Sequence, residues 1–119
     1  MAKFSLKDRI KSFAYAFQGI KWVYSQHNMW IHTLAAILAI SLGFYLCIST
    51  LEWIAIILCI FLVFAAEMIN TAIELLADEV DENQNIRIGK VKDLAAGAVL
   101  MISIASALIG ALVFIPKIV

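Results

Sequence analysis

Three uncharged apolar runs limit what this chain can become. Met29 to Ile48 holds 20 residues without Asp, Glu, Lys or Arg, Leu94 to Ile115 holds 22, and Trp53 to Ala66 holds 14 before the first acid, Glu67. At about 1.5 Å per residue, a 20-residue helix covers about 30 Å, the thickness of the hydrocarbon core of a bilayer. Backbone polar groups in lipid must be paired within their own segment, so such runs form helices. Hydrophobic residues make up 64% of the 119 and charged residues 15%, whereas soluble domains average about 45–50% and about 25%. The expected fold is an all-α integral membrane protein with one membrane domain over residues 1–119.

The expected elements are an amphipathic surface helix at 5–25, membrane helices at 29–48, 53–78 and 94–115, and a cytoplasmic loop at 79–93. In the first element Leu6, Ile10, Phe13, Phe17, Ile20 and Tyr24 recur every three or four residues, with Lys7 and Lys11 at the rim and Ser5 as cap. That narrow apolar stripe with a basic margin suits a helix lying in the membrane surface. It has no short apolar core followed by a small-residue cleavage site, so no cleaved signal peptide is expected. Ser49 to Glu52 reads as a tight turn, and Trp53 as an interfacial anchor. His32, Ala36, Ala39 and Gly43 share one face of the first span, and Ala96, Ser103, Ser106, Ala107 and Gly110 one face of the last. Such small-residue faces are where membrane helices approach closely. Cys47 and Cys59 lie in apolar surroundings and read as small hydrophobes.

Charge sets the orientation. Lys3, Lys7, Arg9, Lys11 and Lys21 precede the first span, Ser49 to Glu52 has no Lys or Arg, and Arg87, Lys90 and Lys92 fall in the second loop. The N-terminus and that loop are therefore expected on the cytoplasmic side of the inner membrane. Net charge is zero, and no basic nucleic-acid footprint is present.

The candidate site is Ala66 to Glu79, where an apolar helix ends in a row of acids and an amide. At 100° per residue, Glu67, Asn70, Thr71, Glu74 and Asp78 fall on one stripe. A charged side chain in hydrocarbon costs at least about 2.5–3.5 kcal/mol, so Glu67 and Glu74 should face protein or water. The competing structural readings are a solvated helix end, a packing network, and an ion path. Carboxylates with an amide suit a hard cation such as Mg²⁺, and the nearby Lys and Arg suit phosphate. Neither a Gly-x-x-x-x-Gly-Lys-Ser/Thr loop nor a Gly-x-Gly-x-x-Gly run occurs.

Glu67-Met-Ile-Asn70-Thr71-Ala72-Ile73-Glu74-x-x-x-Asp78, followed by Lys92-Asp93 and an Ala/Gly-rich third span, resembles the prokaryotic diacylglycerol kinase family of small three-span enzymes, which includes undecaprenol kinases. Arg9, Tyr15 and Gly19 resemble the N-terminal pattern of that family. The resemblance implies a homotrimer with shared active sites, in which ATP phosphorylates a lipid hydroxyl, of diacylglycerol or undecaprenol, at the inner face of the membrane. It makes Glu67 the catalytic base, Glu74 the holder of Mg²⁺ on the ATP phosphates, Asn70 an orienting group, and Lys92 and Asp93 nucleotide contacts. Arg9, Tyr15, Asn83, Gln84 and Asn85 would be further nucleotide contacts. Where the family commonly has a second metal-binding glutamate this chain has Gln26, whose oxygen can coordinate Mg²⁺ but brings no charge. The alternative from another class is a small ion- or proton-conducting membrane subunit. It would need acids continued across the bilayer, and the outer half of the spans carries none.

Overall fold

The computed structural model describes residues 4–81 (the side chain of His27 excepted), 83 and 85–119. Gln84, expected as a nucleotide contact, lies outside the described residues. The described residues form four helices: α1 (Leu6–Val23), α2 (His27–Tyr45), α3 (Thr50–Val80) and α4 (Ile86–Ile118). Three of them, α2 to α4, contain stretches long and apolar enough to cross a membrane.

α1 begins where the sequence provides a cap. The Ser5 hydroxyl accepts from the Asp8 amide at 3.3 Å, with Asp8 in the first turn and Lys21 in the last, each charge complementing the helix dipole. Leu6, Ile10, Phe13 and Phe17 are all exposed along this helix. α1 meets α3 where Gly19 faces Met68. A corner over Val23 to Gln26 then turns the chain into α2. It is fastened by the Trp30 indole, which donates to the Tyr24 carbonyl at 2.9 Å. The Thr33 and Tyr24 hydroxyls also hydrogen-bond at 3.1 Å.

α2 ends at Tyr45, three residues before the expected end at Ile48. The cause is a Schellman closure: Cys47 takes a left-handed φ of 52°, its amide donates to Phe44 O, and the Ile48 amide donates to Gly43 O at 3.2 Å. Glycine usually fills that position, because a Cβ there meets the following carbonyl. Apolar content alone does not reveal the stop. Cys47 is consequently exposed at the turn, while Cys59 is buried.

α3 starts at Thr50 through a complete capping box, with Ser49 and Glu52 each accepting from the other's backbone amide at 3.2 and 2.9 Å. The expected turn at Ser49 to Glu52 is therefore already the first turn of α3. The helix spans 31 residues, about 46 Å. α4 packs antiparallel along α3 more extensively than any other helix does, and an ion pair joins the two at each end. Lys117 meets Glu52 at 3.1 Å, and Lys92 meets Asp78.

α4 also departs from its expected bounds. It begins at Ile86, so Ile86 to Asp93, expected as loop, is helical. Low hydropathy marks where lipid ends, and Arg, Lys and Val remain adequate helix formers beyond it. Asn85 caps this start, accepting from the Arg87 amide at 2.9 Å. At the other end the helix runs through Pro116 to Ile118. Proline removes one amide there, and the Val119 amide still closes the last turn on Ile115 O.

The apolar core lies at the end far from Glu67, around Ile48, Ile56, Val113 and Phe114, with Trp53 and Leu46 against it. The small-residue face of α2 does pack closely. A Cβ on Gly43 would stand 2.6 Å from Trp53 Cη2, so Trp53 is a packing residue over that glycine as well as a candidate anchor. The face of α4 does not form the expected tight seam: Gly110 has no neighbour within 4 Å of a built Cβ. It lines a groove instead.

Two stability outcomes follow from this geometry. Gly43→Ala must displace the Trp53 ring and should cost about 1–3 kcal/mol. Cys47→Gly, by relieving the left-handed residue, should add about 1 kcal/mol. Thermal unfolding of both variants in detergent, expected to shift in opposite directions from the parent, checks the pair.

Candidate active site

The stripe on α3 passes from buried to exposed as it climbs out of the apolar region. Glu67 is 3% exposed and Asn70 7%, Glu74 is half-buried, and Asp78 is exposed. The helix period that aligned them in sequence aligns them in space. Asn70 Nδ2 donates to Glu74 Oε1 at 3.2 Å, and the Thr71 hydroxyl donates back to the Glu67 carbonyl at 2.9 Å.

Glu67 faces α2, where His32 Nε2 lies 3.4 Å from Glu67 Oε2. The His32 side chain is 18% exposed and the Glu67 side chain 4%. Two buried acceptor oxygens on this stripe, Glu67 Oε2 and Asn70 Oδ1, have no hydrogen-bond partner. An unsatisfied buried polar atom typically costs about 1–3 kcal/mol, so folded chains rarely keep one without use. These two lie one turn apart and accept only, so what they lack is a donor or a cation.

A groove of about 290 Å³ opens below His32, between α2, α3 and α4. Its walls are Ala36, Ala39, Cys59, Ile60 and Phe64, with Ser103, Ser106 and Gly110 from α4. The small-residue face of α4 thus becomes one side of an apolar trough that reaches His32. An ion path, the alternative read from the sequence, would need charge along that trough. Its walls carry none below His32, and Glu52 at the far end is paired to Lys117.

At the exposed end, Lys92 and Asp78 join α4 to α3. Its hydrogen bond to the Asp78 carboxylate holds the Lys92 ammonium above its ordinary range, so Lys92, on the extension of α4 beyond its apolar run, carries its charge. Asp93 beside it is exposed.

Other expected residues are not gathered onto the stripe. The Arg9 guanidinium sits over the Phe4 ring at 5.7 Å, and Tyr15 is exposed on α1. Gln26 is the residue before α2, and its amide donates to Ser25 Oγ at 3.4 Å. Asn85 is used in the loop itself, capping α4 and donating to Asp81 at 3.3 Å. The Asn83 amide donates to Asp81 Oδ1 at 2.9 Å. Among the described residues no cluster of three His, Cys, Asp or Glu side chains is arranged to hold a metal.

The partnership of His32 with Glu67 was not read from the sequence, which only turned His32 inward. The available signal was that both stand inside apolar runs and each needs a polar partner at a similar depth. Because Glu67 leaves an acceptor unpaired, Glu67→Gln is expected to unfold no earlier than the parent. A thermal melt in detergent checks this, and a clear loss of stability would show that the carboxylate itself holds the helices together.

A profile of the prokaryotic diacylglycerol kinase family matches residues 14–114. The chain is 37% identical over 108 residues to the undecaprenol kinase of Bacillus subtilis (strain 168), covering 90% of this chain and 88% of that protein. It is 32% identical over 107 residues to the diacylglycerol kinase of Synechocystis sp. (strain PCC 6803), covering 88% of this chain and 61% of that one.

Proposed function

The chain belongs to the prokaryotic diacylglycerol kinase family and is a membrane lipid kinase of the diacylglycerol or undecaprenol kinase type, and on that premise we propose that Glu67 is the base that activates the lipid hydroxyl. The observation that carries this is a carboxylate 3% exposed, set beside His32, which lines an apolar groove. A lipid hydroxyl donates to the carboxylate oxygen that His32 does not face, and its chain is compatible with an apolar trough. The hydroxyl oxygen attacks the γ-phosphorus of ATP, the bond to the β–γ bridging oxygen breaks, ADP leaves, and the proton passes to Glu67. Phosphoryl transfer of this kind depends on positioning and charge neutralisation, with little covalent help from the protein.

Glu74 stands nearer the water, where a soluble nucleotide arrives. Its donor set fits a hard cation: a half-buried carboxylate beside Asn70, whose Oδ1 has no partner. In this reading Glu74 and Gln26 hold Mg²⁺, which neutralises charge on the ATP phosphates, while Asn70 orients the carboxylate. Lys92 and Asp93 contact the nucleotide, with Arg9, Tyr15, Asn83, Gln84 and Asn85 as further contacts. Arg9, Tyr15 and Gln26 do not converge on the stripe within one chain, which supports sites completed by a neighbouring copy in a homotrimer. By the distribution of Lys and Arg, the site faces the cytoplasm of the cell's inner membrane.

The lipid is diacylglycerol or undecaprenol. The likeness to the undecaprenol kinase spans more of both chains, which supports undecaprenol as the first to try. Purified protein incubated with labelled ATP, Mg²⁺ and each lipid is expected to label one of them, and no transfer to either would end the proposal. Glu67→Gln should lower transfer at least about 100-fold with assembly intact, and retained activity would reject Glu67 as base. Glu74→Gln should raise the Mg²⁺ concentration for half-maximal rate about tenfold, through one lost ligand charge. A magnesium titration of initial rates checks that outcome.

A further inference from the structure

The base reading leaves open what holds Glu67 in place. A carboxylate on a helix keeps rotamer freedom unless something fixes it, and misplacement by about 1 Å can cost about 100-fold in rate. Asn70 does not do this, since its amide donates to Glu74, and Thr71 engages only the Glu67 backbone carbonyl. The nearest side-chain donor to the buried oxygen is on another helix. His32 Nε2 is 3.4 Å from Oε2, just beyond the usual range of an N–H···O bond. Catalytic hydrogen bonds are often this long before substrate binds and tighten in the complex.

His32 is itself held firmly. Two residues before it, Trp30 is tied to the Tyr24 carbonyl at 2.9 Å and its ring packs edge-on against Tyr24. One residue after it, the Thr33 hydroxyl bonds both the Met29 carbonyl at 2.8 Å and the Tyr24 hydroxyl at 3.1 Å. The first turns of α2 are thus fixed to the α1–α2 corner from both sides of His32, and His32 is one of the residues lining the groove.

We propose that His32 is the positioning residue for Glu67: its Nε2–H fixes Oε2, so that the carboxylate presents its other oxygen to the hydroxyl entering from the groove. The inference rests on Glu67 being the base. An imidazole N–H donor serves this purpose in its neutral form; the requirement is for a donor at that point. Glutamine can supply one through its amide, and alanine cannot.

Steady-state kinetics on the full chain in mixed micelles, with ATP, Mg²⁺ and whichever lipid the parent phosphorylates, provide the test. H32A is expected to lower kcat about 10–100-fold while KM for ATP and lipid stays within about twofold. H32Q should recover to within about threefold of the parent. H32A should cost little more in an E67Q background, since a residue acting through Glu67 has nothing left to position. If H32A fails to assemble, H32N, whose shorter amide stops short of Oε2, takes its place under the same criteria. Parental kcat in H32A, a loss confined to KM, or H32Q as slow as H32A would each overturn the inference. E67Q alone separates the two readings. An active E67Q ends the base assignment whatever His32 does, whereas an inactive E67Q beside a fully active H32A ends only the role of His32.

Discussion

A carboxylate placed where water is scarce has to be compensated by something, and the arrangement around Glu67 follows from that demand. Glu67 is reached only after an uninterrupted apolar stretch from Trp53 to Ala66. A carboxylate there is tolerated because α2 supplies His32 opposite it, and because the rest of the stripe leads outward to Glu74 and Asp78. The compensation is incomplete, since Glu67 Oε2 and Asn70 Oδ1 remain unpaired. In a protein with stability near 5–15 kcal/mol, two such groups at about 1–3 kcal/mol each are a sizeable cost. His32 drawn closer to Oε2, or a cation reaching Asn70 Oδ1, would recover that cost.

That cost is tolerable because the helices are held together elsewhere. The apolar cluster of Ile48, Ile56, Val113 and Phe114 lies at the opposite end, where Trp53 closes over Gly43. The Ser49–Glu52 capping box fixes where α3 starts, and the Glu52–Lys117 and Lys92–Asp78 pairs fix the register of α3 against α4 at both ends. Exposed ion pairs contribute little energy singly. Their value here is geometric: with both ends of the hairpin fixed, the stripe cannot slide relative to Lys92. Packing at one end thus leaves the other free to hold polar groups and an open groove.

The α1–α2 corner serves the site in the same way. Tyr24, Trp30 and Thr33 lock the entry to α2, and this places His32 at the level of Glu67. Gly19 against Met68 rests α1 on α3 one residue beyond Glu67 in sequence. The surface helix, the first span and the stripe are therefore coupled within a short distance.

Much of this was legible in the residues themselves, for a physical reason. Lipid imposes a length and a polarity on any segment that crosses it, so Met29 to Ile48 and Leu94 to Ile115 announce their spans. The helix period alone puts Glu67, Asn70, Glu74 and Asp78 on one face, because that depends only on local geometry. Element ends were less legible. The stop at Tyr45 depends on one left-handed residue, Cys47, and the helical start at Ile86 depends on a side-chain cap from Asn85, neither of which leaves a hydropathy signal. What only the tertiary structure decided is which polar group meets which: His32 against Glu67, Asp78 against Lys92, and the α4 small-residue face opening onto a groove instead of closing into a seam. Such pairings depend on the rotation and depth of one helix relative to another, set by distant contacts such as Trp53 on Gly43, and no local run of residues encodes them.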